Sequence, residues 1–198
     1  MVCGEIERSY KELRLGPTDK IFDVGANIGA FSAWASPKVQ SVVAFEPDEE
    51  NFDVFNANTS GLVNVSGMRV ALVGDNRTSV EFFTNDSGRN KGLHSLVVQR
   101  GRRSHIVPAM DLHDLIAKYQ PNKLKIDTEG GEYDMLLDKP LNPCVKALAI
   151  EKKKKKKQWR HDMAPRLIQQ LEAQFPEIRV KATVTPQSRA LLGVYARE

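Results

Sequence analysis

"KIFDVGANIGAFSAW", residues 20–34, passes from an apolar run through two closely spaced glycines and back into apolar residues. Residues 21–24 have the composition of a buried strand, 25–29 that of a tight turn, and residues from about 28 to 35 that of a helix stopped by Ser36-Pro37. A strand, a glycine turn and a helix in this order form the device by which α/β proteins hold a nucleotide at the carboxyl edge of a sheet. Downstream, "SVVAFEP" predicts a strand at 41–45, Pro47 opens a helix to about residue 58, and "MRVALVG" predicts a third strand at 68–73. A β-α-β-α-β series implies a parallel sheet with right-handed crossovers. Upstream, Ile6, Tyr10 and Leu13 space a short helix within residues 1–16.

The rhythm breaks at 76–108, where "SVEFF", "HSLVV" and "HIVPA" are short β-like runs and predict an antiparallel insertion or flap. It returns with a helix at 111–118, the strand "KLKID" at 123–127, a helix at about 132–137 and the strand "VKALAIE" at 145–151. Residues 162–175 form a helix with Leu167, Ile168, Leu171 and Phe175 on one face, and the chain closes on two strands joined by "PQSR". We read this as one α/β domain over 1–198. Its expected architecture is a Rossmann-like, seven-stranded, mostly parallel sheet with an antiparallel C-terminal hairpin, as in the class I S-adenosylmethionine (SAM) methyltransferases.

The acids narrow the ligand. A dinucleotide fingerprint is G-x-G-x-x-G, with backbone close to a pyrophosphate. Here the string is D-x-G-x-x-x-G, through Asp23, Gly25, Ala26, Asn27 and Gly29. An acid before the first glycine repels pyrophosphate and favours a ligand carrying an amine and a sulfonium, as SAM does. Glu46, 17 residues after Gly29, falls at the tip of the second strand, where a carboxylate can accept both ribose hydroxyls. Pro47 adjoins it, and Ala71, Leu72 and Asp75 are the candidates for a third adenosine contact.

Composition sets broader bounds. With 198 residues, 41% hydrophobic and 27% charged, the chain is ordinary for one globular domain. No apolar run approaches the roughly 18 residues that cross a bilayer, and the N-terminal stretch has no signal-like apolar core, so the expected location is cytoplasmic, without a membrane partner. Cys3 and Cys144 show no metal or disulfide spacing. Residues 1–99 hold nine Lys/Arg against thirteen Asp/Glu, and residues 100–198 hold twenty against twelve, six of them the lysine run at 152–157. A basic half points to an anionic partner.

"KLKIDTEGGEYDMLL", residues 123–137, puts Asp127, Glu129 and Glu132 at the carboxyl edge of the fourth strand, across the crevice from the first. Together, "FDVGANIGAFS", "VVAFEPDEENFDVFNAN", "VALVGD" and "LKIDTEGGEYDML" resemble the FkbM family of SAM-dependent methyltransferases over about residues 20–151. The resemblance implies O-methylation of hydroxyls on sugars, polyketides or other small or glycan-like acceptors. It implies that Asp23, Gly25, Asn27, Gly29 and Glu46 line the SAM site. It also implies that Asp127, Glu129 and Glu132 lie by the transferring methyl, and that His94 and Ser95 of "LHSL" belong to the pocket. The chain departs from the family after Ile150, where Glu151 is followed by Lys152 and five more lysines, then by Trp159. Glu151, Lys152 and Trp159 are therefore candidate acceptor contacts, with Ser95 and Glu132.

Methyl transfer from a sulfonium requires an acceptor oxygen aligned roughly 3 Å from the carbon and a group to take its proton. Asp127, Glu129 and His94 are the candidate bases, with His161 behind them. Asp127, Glu129 and Glu132 also have the hard oxygens that suit Mg²⁺. The lysine run gives a second reading, a ribose or cap 2′-O-methyltransferase of RNA. It would use a Lys-Asp-Lys-Glu set from Lys11 or Lys20, Asp127, one of residues 152–157 and a late acid. Trp159 would be placed to stack a base. A third is a non-catalytic binding or scaffold subunit, which predicts a lost glycine loop.

Overall fold

The computed structural model describes residues 2–84, 103–128, 130–153, 163–184 and 190–197. Its strands are β1 (Lys20–Val24), β2 (Ser41–Phe45), β3 (Val65–Met68), β4 (Ala71–Val73), β5 (Ser79–Thr84), β6 (Arg103–Asp111), β7 (Lys123–Ile126), β8 (Ala147–Lys153), β9 (Glu177–Val184) and β10 (Ala190–Arg197). Its α-helices are α1 (Val2–Tyr10), α2 (Ala30–Ala35), α3 (Glu49–Thr59), α4 (Leu112–Tyr119), α5 (Glu132–Leu136) and α6 (Met163–Glu172). The main sheet runs β3-β2-β1-β7-β8-β10-β9. Its first five strands are parallel, and the β9–β10 hairpin closes it with β10 antiparallel to β8.

Successive side chains on a strand point to opposite faces, and β1 shows what each face buries. Phe22 and Val24 enter a core with Leu124, Ile126, Leu148 and Ile150, covered by Leu112 and Ile116 of α4, Met135 and Leu136 of α5, and Leu167 and Leu171 of α6. Ile21 faces the other way, with Val42, Ala147 and Ala149, against Tyr10, Leu13, Phe31 and Ala35. Asp23 lies on this second face, in register with Lys125 on β7. Two helices start on side-chain caps: Asp48 accepts the Asn51 N–H at 2.9 Å, and Asp111 accepts those of His113 and Asp114 at 2.7 and 3.0 Å.

The single third strand expected at 68–73 is two strands. β3 ends at Met68, whose carbonyl accepts the N–H of Val70 at 3.0 Å. That tight turn sends Ala71–Val73 out of the main sheet to pair with β6, in a three-stranded sheet β4-β6-β5. Apolar composition is continuous across the turn, so the run reads as one strand. The expected insertion is the antiparallel pair β5–β6; "HSLVV" lies outside the described residues.

Candidate active site

The loop after β1 is held against both neighbouring strands. The N–H groups of Gly25 and Ala26 donate to the Phe45 carbonyl of β2 at 3.0 Å, and the Asp127 N–H donates to the Val24 carbonyl at 2.9 Å. Gly25 has φ +73°, and a Cβ there would collide with the Asp127 carbonyl, so only glycine lets the loop pass β7 this closely. Asn27 and Gly29 also have positive φ, and Gly29 starts α2 with its Cα against the Phe55 ring, where a Cβ would lie 2.8 Å away.

Two cavities open on either side of this loop. The first is bounded by Gly25, Asn27, Phe45, Glu46, Pro47, Asn51, Val70, Ala71, Leu72, Phe82, Asp127 and Thr128. Glu46 is buried in its wall, Oε2 accepting the Asn27 N–H at 2.8 Å and Oε1 the Asp48 N–H at 3.0 Å. Burial pushes its carboxyl above the usual value, and those N–H groups and Lys125 offset only part of that shift. Each oxygen keeps a lone pair for a ligand hydroxyl. The apolar wall of Val70, Ala71, Leu72 and Phe82 suits a flat base.

The second cavity is bounded by Ile6, Ser9 and Tyr10 of α1, Gly25–Ile28 of the loop, Ala30 and Phe31 of α2, and by Lys125, Asp127 and Glu151. Tyr10 Oη donates to Glu151 Oε2 at 2.7 Å. Burial pushes the Tyr10 hydroxyl well above its usual pKa, and the charges of Asp127 and Glu151 add to that. Lys125 is buried; its Nζ lies 2.9 Å from Asp23 Oδ1 and donates to the Gly25 carbonyl at 2.7 Å.

The candidates thus divide. Gly25, Asn27, Glu46, Pro47, Ala71, Leu72 and Asp127 come together on the first cavity, and Ala26 and Glu151 on the second. Gly29 lines neither and acts through the turn into α2. Asp23 requires a correction: it is fully buried behind the loop, bonded to Ser32 Oγ at 2.6 Å and paired with Lys125, so its charge meets the protein's own cation rather than a ligand. Glu132 is corrected too. It is buried, its Oε2 accepts the Gly130 N–H at 2.7 Å, and it lines neither cavity. Among the described residues no three His, Cys, Asp or Glu side chains cluster to hold a metal. Asp75 pairs with Arg77 at 2.5 Å, outside both cavities. Lys20 begins β1, at the end of the strand opposite the loop, and cannot join Asp127 in a catalytic tetrad. Lys152 is on β8 opposite Leu192. Glu129, His94, Ser95, Trp159 and His161 lie outside the described residues.

Sequence reasoning missed Asn51, Val70, Phe82 and Thr128 on the first cavity and Lys125 and Tyr10 on the second. Lys125 carried a signal: it is a lysine between Leu124 and Ile126, on the strand that neighbours the one holding a buried acid.

A parallel sheet ordered β3-β2-β1-β7-β8 and closed by an antiparallel hairpin, with the ligand loop after its first strand, is the class I methyltransferase fold. The profile of the methyltransferase FkbM domain matches residues 23–181, and the chain belongs to that family. Methyltransferase FkbM from Methylobacillus flagellatus KT superposes with a TM-score of 0.55 at 17% identity, over 90% of this chain and 43% of that one. The precorrin-6y C5,15-methyltransferase from Geobacter metallireducens GS-15 gives 0.55 at 12% identity, over 98% and 87%. An rRNA methylase from Streptococcus thermophilus gives 0.55 at 12%, over 97% and 95%. These likenesses are of fold. No curated protein sequence matches the chain. Among the described residues no helix is long and apolar enough to cross a membrane.

The residues fit the donor this fold uses. Gly25 lets the loop pack against Asp127, buried Glu46 presents two acceptor oxygens to a cavity with an apolar wall, and the two cavities share Gly25, Asn27 and Asp127.

Proposed function

We propose that the chain transfers a methyl group from SAM to a hydroxyl oxygen of a sugar, glycan or other small acceptor. The observation that carries this reading is the meeting of two cavities at Gly25, Asn27 and Asp127, one lined by Glu46 and the other by Glu151. Bound SAM supplies an electrophilic methyl on a sulfonium. Glu46 accepts from the ribose, the slot from Val70 to Leu72 with Phe82 takes the adenine, and Gly25 holds the loop against Asp127 where the two cavities meet. Asp127, common to both cavities, takes the acceptor's proton; this asks of it about 10²–10⁴-fold in rate. The intact loop argues against a subunit that only binds. A nucleic-acid acceptor is the second reading, favoured by the lysine run that begins directly after Glu151.

The test is methyl transfer from labelled SAM to a panel of sugars, glycans and capped RNA. The expected result is labelling of a saccharide hydroxyl. Asp127→Asn should lower kcat by about 100-fold or more while S-adenosylhomocysteine still binds. Labelling of RNA alone would promote the second reading, and no transfer to any acceptor with no donor binding would remove the enzymatic one.

A further inference from the structure

The second cavity carries charge of both signs. Asp127 and Glu151 supply carboxylates, and Lys125 is the one cation among its described lining residues. An ammonium 4% exposed on a strand between Leu124 and Ile126 is costly to desolvate and calls for a reason. Part of it is local. The ammonium donates to the Gly25 carbonyl at 2.7 Å and forms an ion pair with Asp23 Oδ1 at 2.9 Å, and Ser32 holds the other Asp23 oxygen. The Gly25 carbonyl does not exhaust the three donors of the ammonium, and Lys125 lines the cavity. Burial alone would lower the pKa of the amine, but Asp23, Asp127 and Glu151 outweigh it and hold that pKa above the ordinary lysine value. A fixed, permanently charged donor therefore stands in the same cavity as the acceptors Asp127 and Glu151.

We propose that Lys125 binds the carboxylate of the methyl donor's α-amino-acid end, in a cavity whose opposite charges match a zwitterion. The inference rests on the SAM reading above and adds the residue that recognises the donor's amino-acid end. A lysine that only clamps the loop would serve the adenosine and amino-acid halves of the donor equally. A lysine that touches the carboxylate serves one half.

Calorimetry with two ligands separates these roles: S-adenosylhomocysteine carries the amino-acid end, and 5′-methylthioadenosine lacks it. Lys125→Met should weaken S-adenosylhomocysteine roughly 10- to 100-fold and leave 5′-methylthioadenosine within about threefold. Because the single change strands the Asp23 charge, Asp23→Asn with Lys125→Met repeats the test in a fold free of it, and the same split is expected. Equal weakening of both ligands, or of neither, overturns the proposal. So does a wild type that binds the two ligands equally. A wild type that binds neither overturns the SAM reading itself, and this inference with it.

Discussion

At the scale of the residue, Glu46 shows how position and charge oppose each other. It is 5% exposed at the tip of β2, with the N–H groups of Asn27 and Asp48 on its oxygens. Burial raises its carboxyl above the ordinary 4.5, more than those bonds lower it. Folding thus favours the protonated form. The stability Glu46 contributes to the unliganded protein is complete below that ordinary value and is lost as pH rises through the raised folded value. Ligand binding, in the function proposed above, has the opposite sign, because two ribose hydroxyls would need the ionised acceptor. S-adenosylhomocysteine should therefore bind more weakly on acidification from about pH 8 to about pH 5, beginning above where an ordinary glutamate titrates. Glu46→Gln should bind more weakly throughout and flatten the profile. Calorimetry across that range checks both, and an unchanged pH slope in the variant would move the titration to another group.

At the scale of the element, two helices that start alike bear differently on the site. Asp48 caps α3 and Asp111 caps α4, and replacing either by Ala should cost about 1 kcal/mol, a fall of roughly 2–4 °C in Tm for a chain of this size. Asn51, whose N–H Asp48 holds, lines the first cavity. The α4 residues Leu112, Leu115 and Ile116 are core. Asp48→Ala should therefore also weaken S-adenosylhomocysteine, and Asp111→Ala should not. Thermal melts paired with calorimetry would show this; equal ligand effects would refute the distinction. The same contrast explains what the sequence made legible. β1 and β2 were readable because each is an apolar run ending in loop chemistry, at Gly25 and at Glu46-Pro47. The split between β3 and β4 was not, because a turn at Arg69-Val70 carries no glycine or proline. Nor was the role of Asp23: its partner Lys125 is about a hundred residues away, and only the register of β1 with β7 brings them side by side.

At the scale of the whole molecule, the charge is divided. The first half of the chain is acidic, the second basic through the run at 152–157, and yet the second cavity is lined by Asp127 and Glu151, with Lys125 already facing Asp23. Sequence charge alone pointed to an anionic partner; the lining groups show that the balance beside the loop differs from that of the chain around it. An anionic acceptor brought up to Asp127 would bring its charge towards that carboxylate, and a neutral saccharide would bring none. The lysine run and the cavity therefore make opposite demands, which salt separates. For a saccharide acceptor, KM should change by less than about twofold between about 50 and about 200 mM salt, since no counterions are released. Substituting Gln at Lys154, Lys155, Lys156 and Lys157 should leave it unchanged. A single-stranded nucleic-acid acceptor held through four to six phosphates would instead lose roughly 50- to 300-fold in affinity over that range, and the four substitutions would abolish most of the slope. Initial rates at several salt concentrations, for both acceptors and both proteins, decide between the demands, and a steep slope for methyl transfer itself would assign the run to the acceptor.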